Sequence, residues 1–274
     1  MKIEKCVFTI FDFETTGLYP YSGDRICEVA CVKWQPSKRG IKKFHSLVNP
    51  GRPISYIASS INGISDDMVK DSPLIEDILP DILKFMEGSV LVAYNAGFDL
   101  GFLEAALGDK KDVLKNYYVV DALVLARRLF HGIGRYNLGN VSRSLGLNPE
   151  GEHRALADVM MTLGVLKKEL ALLKSEGVDT IADIVYTPRG RKEKPAALKV
   201  KDYRIKLIEE AIREEKRLSI VYRSVWNDSV TKRVITPKEI RSGYDRSYVI
   251  AHCHLKDEER NFRVDGIVDI TLVP

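Results

Sequence analysis

The chain opens on an apolar run, Cys6-Val7-Phe8-Thr9-Ile10, which leads into Phe11-Asp12-Phe13-Glu14-Thr15-Thr16-Gly17-Leu18. Read as a strand, it places Asp12 and Glu14 on one face and Phe13 on the other. Two further strand-like runs, 25–34 and 41–48, flank a short turn with Pro36 and Gly40, so an antiparallel meander is expected. Residues 50–67 read as a long loop around Asn62-Gly63-Ile64, a length that usually carries function. Helical spacing begins after Ser72-Pro73, read as a cap with a first-turn proline, and continues through Leu74, Ile78, Leu79, Ile82, Leu83 and Phe85 to Gly88. Residues 89–94 are nearly all apolar, as in a central strand, and Asn95-Ala96-Gly97 turns them into a helix over 98–107. A short strand at 117–121, a helix ending near Gly132 and another over 136–145 follow. A last helix over about 154–174 carries the stripe Leu156, Val159, Leu163, Leu166, Leu170, Leu173.

A meander followed by strand–helix alternation is an α/β pattern, a mixed sheet flanked by helices over residues 1–185. Beyond it the pattern changes. A helix is expected over 201–216, then short strands at 219–222, 231–237, 248–253, 261–264 and 267–273, the signature of a small antiparallel β-barrel over 202–274.

Charge separates the two parts. Residues 1–186 hold 22 Lys and Arg against 24 Asp and Glu, residues 202–274 hold 14 against 13, and the stretch 187–201 holds six against one. The positive charge therefore sits in a connector, 186–201, which suits either nucleic-acid contact or a solvated linker. No apolar run approaches membrane-spanning length and Met1 leads directly into the first strand, so an unsecreted, cytoplasmic protein is expected. Cys6, Cys27, Cys31 and Cys253 lie in apolar segments without zinc spacing and read as buried thiols.

The candidate chemistry begins with Asp12 and Glu14, two carboxylates that repel unless a cation lies between them. Asp99 opens the helix after the central strand, where α/β sheets gather ligand groups, although a first-turn aspartate also complements the helix dipole. Asp158, in His153-Arg154-Ala155-Leu156-Ala157-Asp158, falls beside the apolar stripe of the last helix, where an unpaired carboxylate is costly. His153 precedes that helix behind Gly151-Glu152 and suits a general base at neutral pH.

Together, Asp-x-Glu ending a first strand, Asp opening a helix after Val-Ala-Tyr-Asn-Ala-Gly-Phe, and His-x-Ala-x-x-Asp opening a late helix closely resemble the DEDDh exonuclease family. That family includes the proofreading subunit of bacterial replicative DNA polymerase. The resemblance spans about residues 5–175. It implies a ribonuclease-H-like fold and release of nucleoside monophosphates from the 3′ end, with single-stranded DNA the expected substrate in preference to RNA. By resemblance, Asp12, Glu14, Asp99 and Asp158 hold two Mg²⁺ or Mn²⁺ ions, about 4 Å apart as such pairs are, and His153 takes a proton from the attacking water. The same resemblance assigns Thr15, Thr16, Gly17, Leu18, Asn62 and Phe98 to the terminal nucleotide, with Asn95 either a contact or a helix cap. Tyr94 and Asn62 stand where members often have histidine, which bears on end-group contacts. A DNA polymerase or repair partner accompanies the expectation.

In the tail, the run 247–253 followed by 260–267 resembles the WYL domain, with Ser-Tyr-Val in place of the name-giving Trp-Tyr-Leu. This implies an SH3-like barrel that binds a ligand or nucleic acid and controls the attached domain. Arg260 and Arg263 alternate on one strand face, which fits either phosphate contact or a solvated face. The competing functional classes are an exonuclease on RNA or oligoribonucleotides and a non-catalytic nucleic-acid-binding regulator.

Overall fold

A computed structural model describes residues 1–148, 153–185, 202–224, 229–242 and 246–273. The expected linker 186–201, and Gly151 and Glu152 before His153, lie outside the described residues. Two compact units form, Met1–Leu123 with Ser142–Lys199, and Val124–Val141 with Val200–Pro274. The segment 124–141 thus groups with the C-terminal unit, where the linear division 1–185 and 202–274 had placed it in the first part.

The elements run in the order β1 (Phe8–Thr15), β2 (Ile26–Trp34), β3 (Lys42–Leu47), α1 (Tyr56–Asn62), α2 (Asp66–Val69), α3 (Ile75–Met86), β4 (Val90–Ala93), α4 (Ala96–Leu107), β5 (Val119–Asp121), α5 (Ala122–Leu129), α6 (Leu138–Ser144) and α7 (Ala155–Ser175). The first sheet has the order β3-β2-β1-β4-β5. The β1–β2 and β2–β3 pairs are antiparallel, whereas β1–β4 and β4–β5 are parallel. Strand β1 is therefore the centre of a mixed sheet, and β4, the run expected in the middle, lies inside it between β1 and β5. Phe11 and Phe13 share a core with Ile82 and Met86 of α3 and Leu100 and Leu103 of α4. Helix α7 packs on β1 and β2. Apolar burial on both sides holds β1 rigid, and its alternation leaves Asp12 and Glu14 half-buried on one face.

Two expectations for this first unit need correction. The stretch 50–67 is not a plain loop. Ser55 caps α1 through its hydroxyl, which accepts from Ala58 N at 3.1 Å, and Gly63 ends that helix at φ 69°. Ala58, Ile64 and Val69 then bury themselves against Cys27. The helix expected at Ser72-Pro73 begins instead at Ile75, because Asp77 Oδ2 accepts from Leu74 N at 3.1 Å and so caps the chain two residues later.

The C-terminal unit adds α8 (Tyr203–Arg213), β6 (Arg217–Arg223), β7 (Val230–Ser242), β8 (Ser247–Cys253), β9 (Glu258–Arg263) and β10 (Ile267–Val273). These strands form an antiparallel sheet in the order β10-β6-β7-β8-β9 over a core that includes Ile208, Leu218, Ile235, Val249 and Phe262. The expected closed SH3-like barrel is not formed. Strand β10 pairs with β6, and β9 and β10 remain the two edges among the described residues, so the closure a barrel requires is missing. Within this unit, fully buried Arg204 donates to Asp202 Oδ1 at 2.9 Å, Ile267 O at 2.9 Å and Arg127 O at 3.0 Å. The last bond ties segment 124–141 to α8. All four cysteines are buried and free, as expected.

Candidate active site

Three elements bring the predicted acids together. Strand β1 sets Asp12 opposite Ala30 and Glu14 opposite Glu28 on β2. Helix α7 presents Asp158 from its first turn. Carboxylate oxygens of Asp12, Glu14 and Asp158 lie within 4.8 Å of one another. Asp99, in the first turn of α4 and only 2% exposed, comes from the neighbouring parallel strand's exit. Its Oδ1 accepts from Phe13 N at 3.1 Å, the peptide between the two β1 acids. His153 is exposed, sits at φ 66° and donates its N–H to Asp158 Oδ1 at 3.3 Å.

The cluster is electrostatically tense. Burial, and then the charges of Asp99, Asp158, Glu14 and Glu28, hold the Asp12 carboxyl well above the usual range. Burial, with Asp158 and Glu28, pushes Glu14 up to about 7, against a hydrogen bond from Asn62 and the charge of Arg154. Burial also raises Asp99, although the Phe13 N–H opposes it. Oxygen donors alone, crowded and partly desolvated, fit a divalent cation.

The exit loop is shaped by its own side chains. Thr15 Oγ1 donates to Gly17 O at 2.6 Å, and Thr16 Oγ1 donates to Asp24 Oδ1 at 3.3 Å while accepting from Arg25 N at 3.1 Å. Tyr19 N donates to Asp24 Oδ2 at 3.0 Å. A Cβ on Gly17 would stand 2.3 Å from Asp24 Oδ2, so any side chain there displaces the Asp24 carboxylate from these bonds. Leu18 is left 67% exposed. Phe98 is half-buried against Phe102, with ring centroids 5.1 Å apart.

Asn62 is buried. Its Oδ1 accepts from Ile64 N at 2.9 Å and its side chain bonds Glu14. Asn95 is exposed at φ 70° and makes no side-chain cap, which removes that alternative. The start of α4 is held instead by Asp121, which sequence reasoning missed: it accepts from Asn95 N at 3.2 Å, Ala96 N at 3.0 Å and Leu123 N at 3.0 Å. Glu28 and Arg154 were missed too. The available signal was a glutamate inside the otherwise apolar run Ile26-Cys27-Glu28-Val29. On β9, Arg260 and Arg263 stand three residues apart in an unbroken register and so lie on opposite faces, not on the one face expected. Arg260 pairs with Glu258 at 3.3 Å and Arg263 Nε donates to Asp265 at 2.9 Å.

A mixed sheet whose central strand ends in paired acids, flanked by acids from two helices and by a histidine, agrees with a nuclease-type site. The comparisons with known proteins make this specific. The Exonuclease family model, RNase_T, matches residues 9–166, and the chain belongs to that family. The WYL domain model matches residues 203–272. The DNA polymerase III subunit epsilon of Treponema pallidum is 38% identical over 170 residues, covering 61% of this chain and 78% of that protein. The PolC-type DNA polymerase III of Caldanaerobacter subterraneus subsp. tengcongensis is 36% identical over 177 residues, 65% of this chain but 12% of its own length. The chain thus spans only a small part of the PolC-type relatives. Among solved structures, E. coli Exonuclease I in complex with a dA16 oligonucleotide shares the fold, with a TM-score of 0.55 at 14% identity over 98% of this chain and 63% of that one. No described helix is long and apolar enough to cross a membrane.

Proposed function

We propose that the chain is a metal-dependent 3′–5′ exonuclease that releases nucleoside monophosphates from DNA 3′ ends. The observation that carries this reading is the convergence of Asp12, Glu14 and Asp158 oxygens within 4.8 Å, with Asp99 bonded to the peptide between the first two. These four residues would hold two Mg²⁺ or Mn²⁺ ions, which when bound offset the crowded negative charge and polarise the scissile phosphate. His153, exposed on the lip, takes the proton from the attacking water at its imidazole. The Thr15–Gly17 loop holds a fixed shape against Asp24, and exposed Leu18 offers an apolar surface to the terminal base or sugar, as does half-buried Phe98 beside Asp99 in the first turn of α4. Asn62 is reassigned from a substrate contact to a support for Glu14, because it is buried and bonded there.

DNA is favoured over RNA on the names of the relatives, and a DNA polymerase or repair assembly in the cytoplasm is the proposed setting. The C-terminal unit is proposed to bind a ligand or nucleic acid and regulate the exonuclease. The test is direct. Purified protein with Mn²⁺ should shorten a 3′-labelled DNA strand faster than the matched RNA, and Asp12→Ala should abolish cleavage. Absence of cleavage, or full activity in Asp12→Ala, overturns the assignment.

A further inference from the structure

Glu28 lies beside the acidic cluster yet is bonded away from it. It is 1% exposed and faces Glu14 across the β1–β2 pair. Arg154 grips its carboxylate with two donors, Nε to Oε2 at 3.1 Å and Nη2 to Oε1 at 2.8 Å. Ala155 N–H donates to Oε2 at 3.0 Å, and His45 Nε2 lies 2.8 Å from Oε1. A carboxylate has about four acceptor sites, so this one is close to saturated.

The bonds matter because of where they land. Ala155 is the first residue of α7, and Arg154, at the cap position, makes no side-chain cap of its own. The first N–H groups of a helix need an acceptor, and a negative charge there complements the helix dipole. Glu28 supplies both from a neighbouring strand. His153 immediately precedes the gripped pair, and Asp158 follows Ala155 by one turn on the same side of the helix. The His153 N–H closes back onto Asp158. The late half of the active site therefore hangs on the junction that Glu28 holds.

Arg154 has a second effect. The Glu28 charge adds to the repulsion felt by Asp12 and Glu14, and Arg154 offsets it at Glu14. A fifth acid can thus serve as a structural hook without burdening the other four.

We propose that Glu28 and Arg154 form a positioning clamp that sets the start and rotation of α7, and through it His153 and Asp158, against β1. The catalytic consequence rests on the exonuclease reading; the geometry does not.

The full chain is compared with Glu28→Gln, Arg154→Ala and the double variant, in Mn²⁺ with a 3′-labelled DNA strand and, separately, by amide hydrogen exchange. Each single variant should lower kcat by about tenfold or more with KM within about twofold, as displaced supporting groups do. The double variant should be no worse than the poorer single one, because both break one clamp. Added guanidinium should restore kcat to Arg154→Ala alone, since that side chain is 40% exposed and lines an open cleft with Lys43 and His45. Exchange should accelerate at the first turn of α7 while its apolar body around Leu163 and Leu166 stays protected. Unchanged kcat, additive losses or unchanged first-turn exchange each overturn the clamp. If Glu28→Gln fails to fold, Arg154→Ala with and without guanidinium decides the matter. An unmodified protein without nuclease activity would sink the exonuclease reading instead, and first-turn exchange alone would then decide the clamp.

Discussion

Asp202 in the C-terminal unit and the four acids around β1 are both desolvated, and they end with opposite electrostatics. Asp202, 5% exposed, is forked by fully buried Arg204, and His131 lies 3.4 Å away. Burial pushes its carboxyl up, but the His131 and Arg204 bonds outweigh this and hold it below the usual range. Asp12, Glu14 and Asp99 are pushed up instead, by burial and then by neighbouring carboxylates, Asp158 and Glu28 among them. An acid buried with its own guanidinium is already neutralised and fixes the fold. Acids buried facing acids need charge brought from outside, which is what a cation-dependent site requires. Glu28 sharpens the contrast, because it sits next to the cluster and is treated like Asp202. Burial pushes Glu28 up, yet Arg154, His45 and the Ala155 N–H hold it below the usual range.

The largest effect should come from the cluster. Asp12→Ala should cut Mn²⁺-dependent release of mononucleotides by about a thousandfold or more, on the order of 4 kcal/mol of barrier, and leave the unfolding transition in EDTA no lower than that of the unmodified chain. A fall in both would make Asp12 a fold residue like Asp202. The converse should hold at Arg204. Arg204→Ala leaves Asp202 buried without its partner and should cost about 3–5 kcal/mol of stability, read from urea unfolding. A loss under about 1 kcal/mol would show that the pair is solvated in practice and would break the comparison.

Much of this was readable in the residues. The period-two pattern of β1 placed Asp12 and Glu14 on one face, and the stripe of α7 placed Asp158 beside the core; both expectations agree with the fold. Less readable were residues whose role depends on pairing across the sheet. Glu28 looked like an ordinary member of a strand until the β1–β2 register set it opposite Glu14 and α7 brought Arg154 to it. Asp121 ends a three-residue strand and acts on two helices at once, through backbone N–H groups that carry no sequence identity. The helix α1 was hidden because its cap, Ser55, lies within a polar stretch with little apolar periodicity. Barrel closure was the clearest overreach, since strand count and turn spacing do not specify which edges meet.

The cluster's tension should also appear in the pH dependence of stability. In EDTA, the folded protein keeps the Glu14 proton up to about 7, whereas the unfolded chain releases it near the ordinary glutamate value of 4.5. The folded state then binds more protons in that window, so this group's contribution falls as pH rises from about 4.5 to about 7, and is flat above it. The size is on the order of 1–3 kcal/mol. Asp202 has the opposite sign: its folded pKa is depressed, so its contribution is present above the unfolded value of 3.8 and is lost as pH falls below it. Thermal unfolding between pH 5 and pH 7.5 should show the Glu14 slope, and Glu14→Gln or saturating Mn²⁺ should reduce it. An undiminished slope in Glu14→Gln would assign the effect to other acids.

Glu169 belongs to neither class and offers the smallest and most discriminating test. It lies in the middle of α7, fully buried, and neither carboxylate oxygen has a hydrogen-bond partner among the described residues. Burial, and then the charge of Asp121, holds its carboxyl well above the usual range. It is outside the oxygen cluster of Asp12, Glu14 and Asp158, so a bound cation there would not relieve it. A buried acid with neither a guanidinium nor a cation only costs stability, through desolvation of its polar oxygens and the proton it must keep. Glu169→Met, of similar length and apolar, should therefore stabilise the chain by about 1–2 kcal/mol at pH 7. The gain should shrink as pH falls towards 4.5, the ordinary value for the unfolded side chain, because both states then carry the proton. Exonuclease activity should stay unchanged. If Glu169→Met instead lowers the activity while the fold is intact, Glu169 joins the cluster acids, and the division between paired and cation-dependent acids must be redrawn to include a second position on α7.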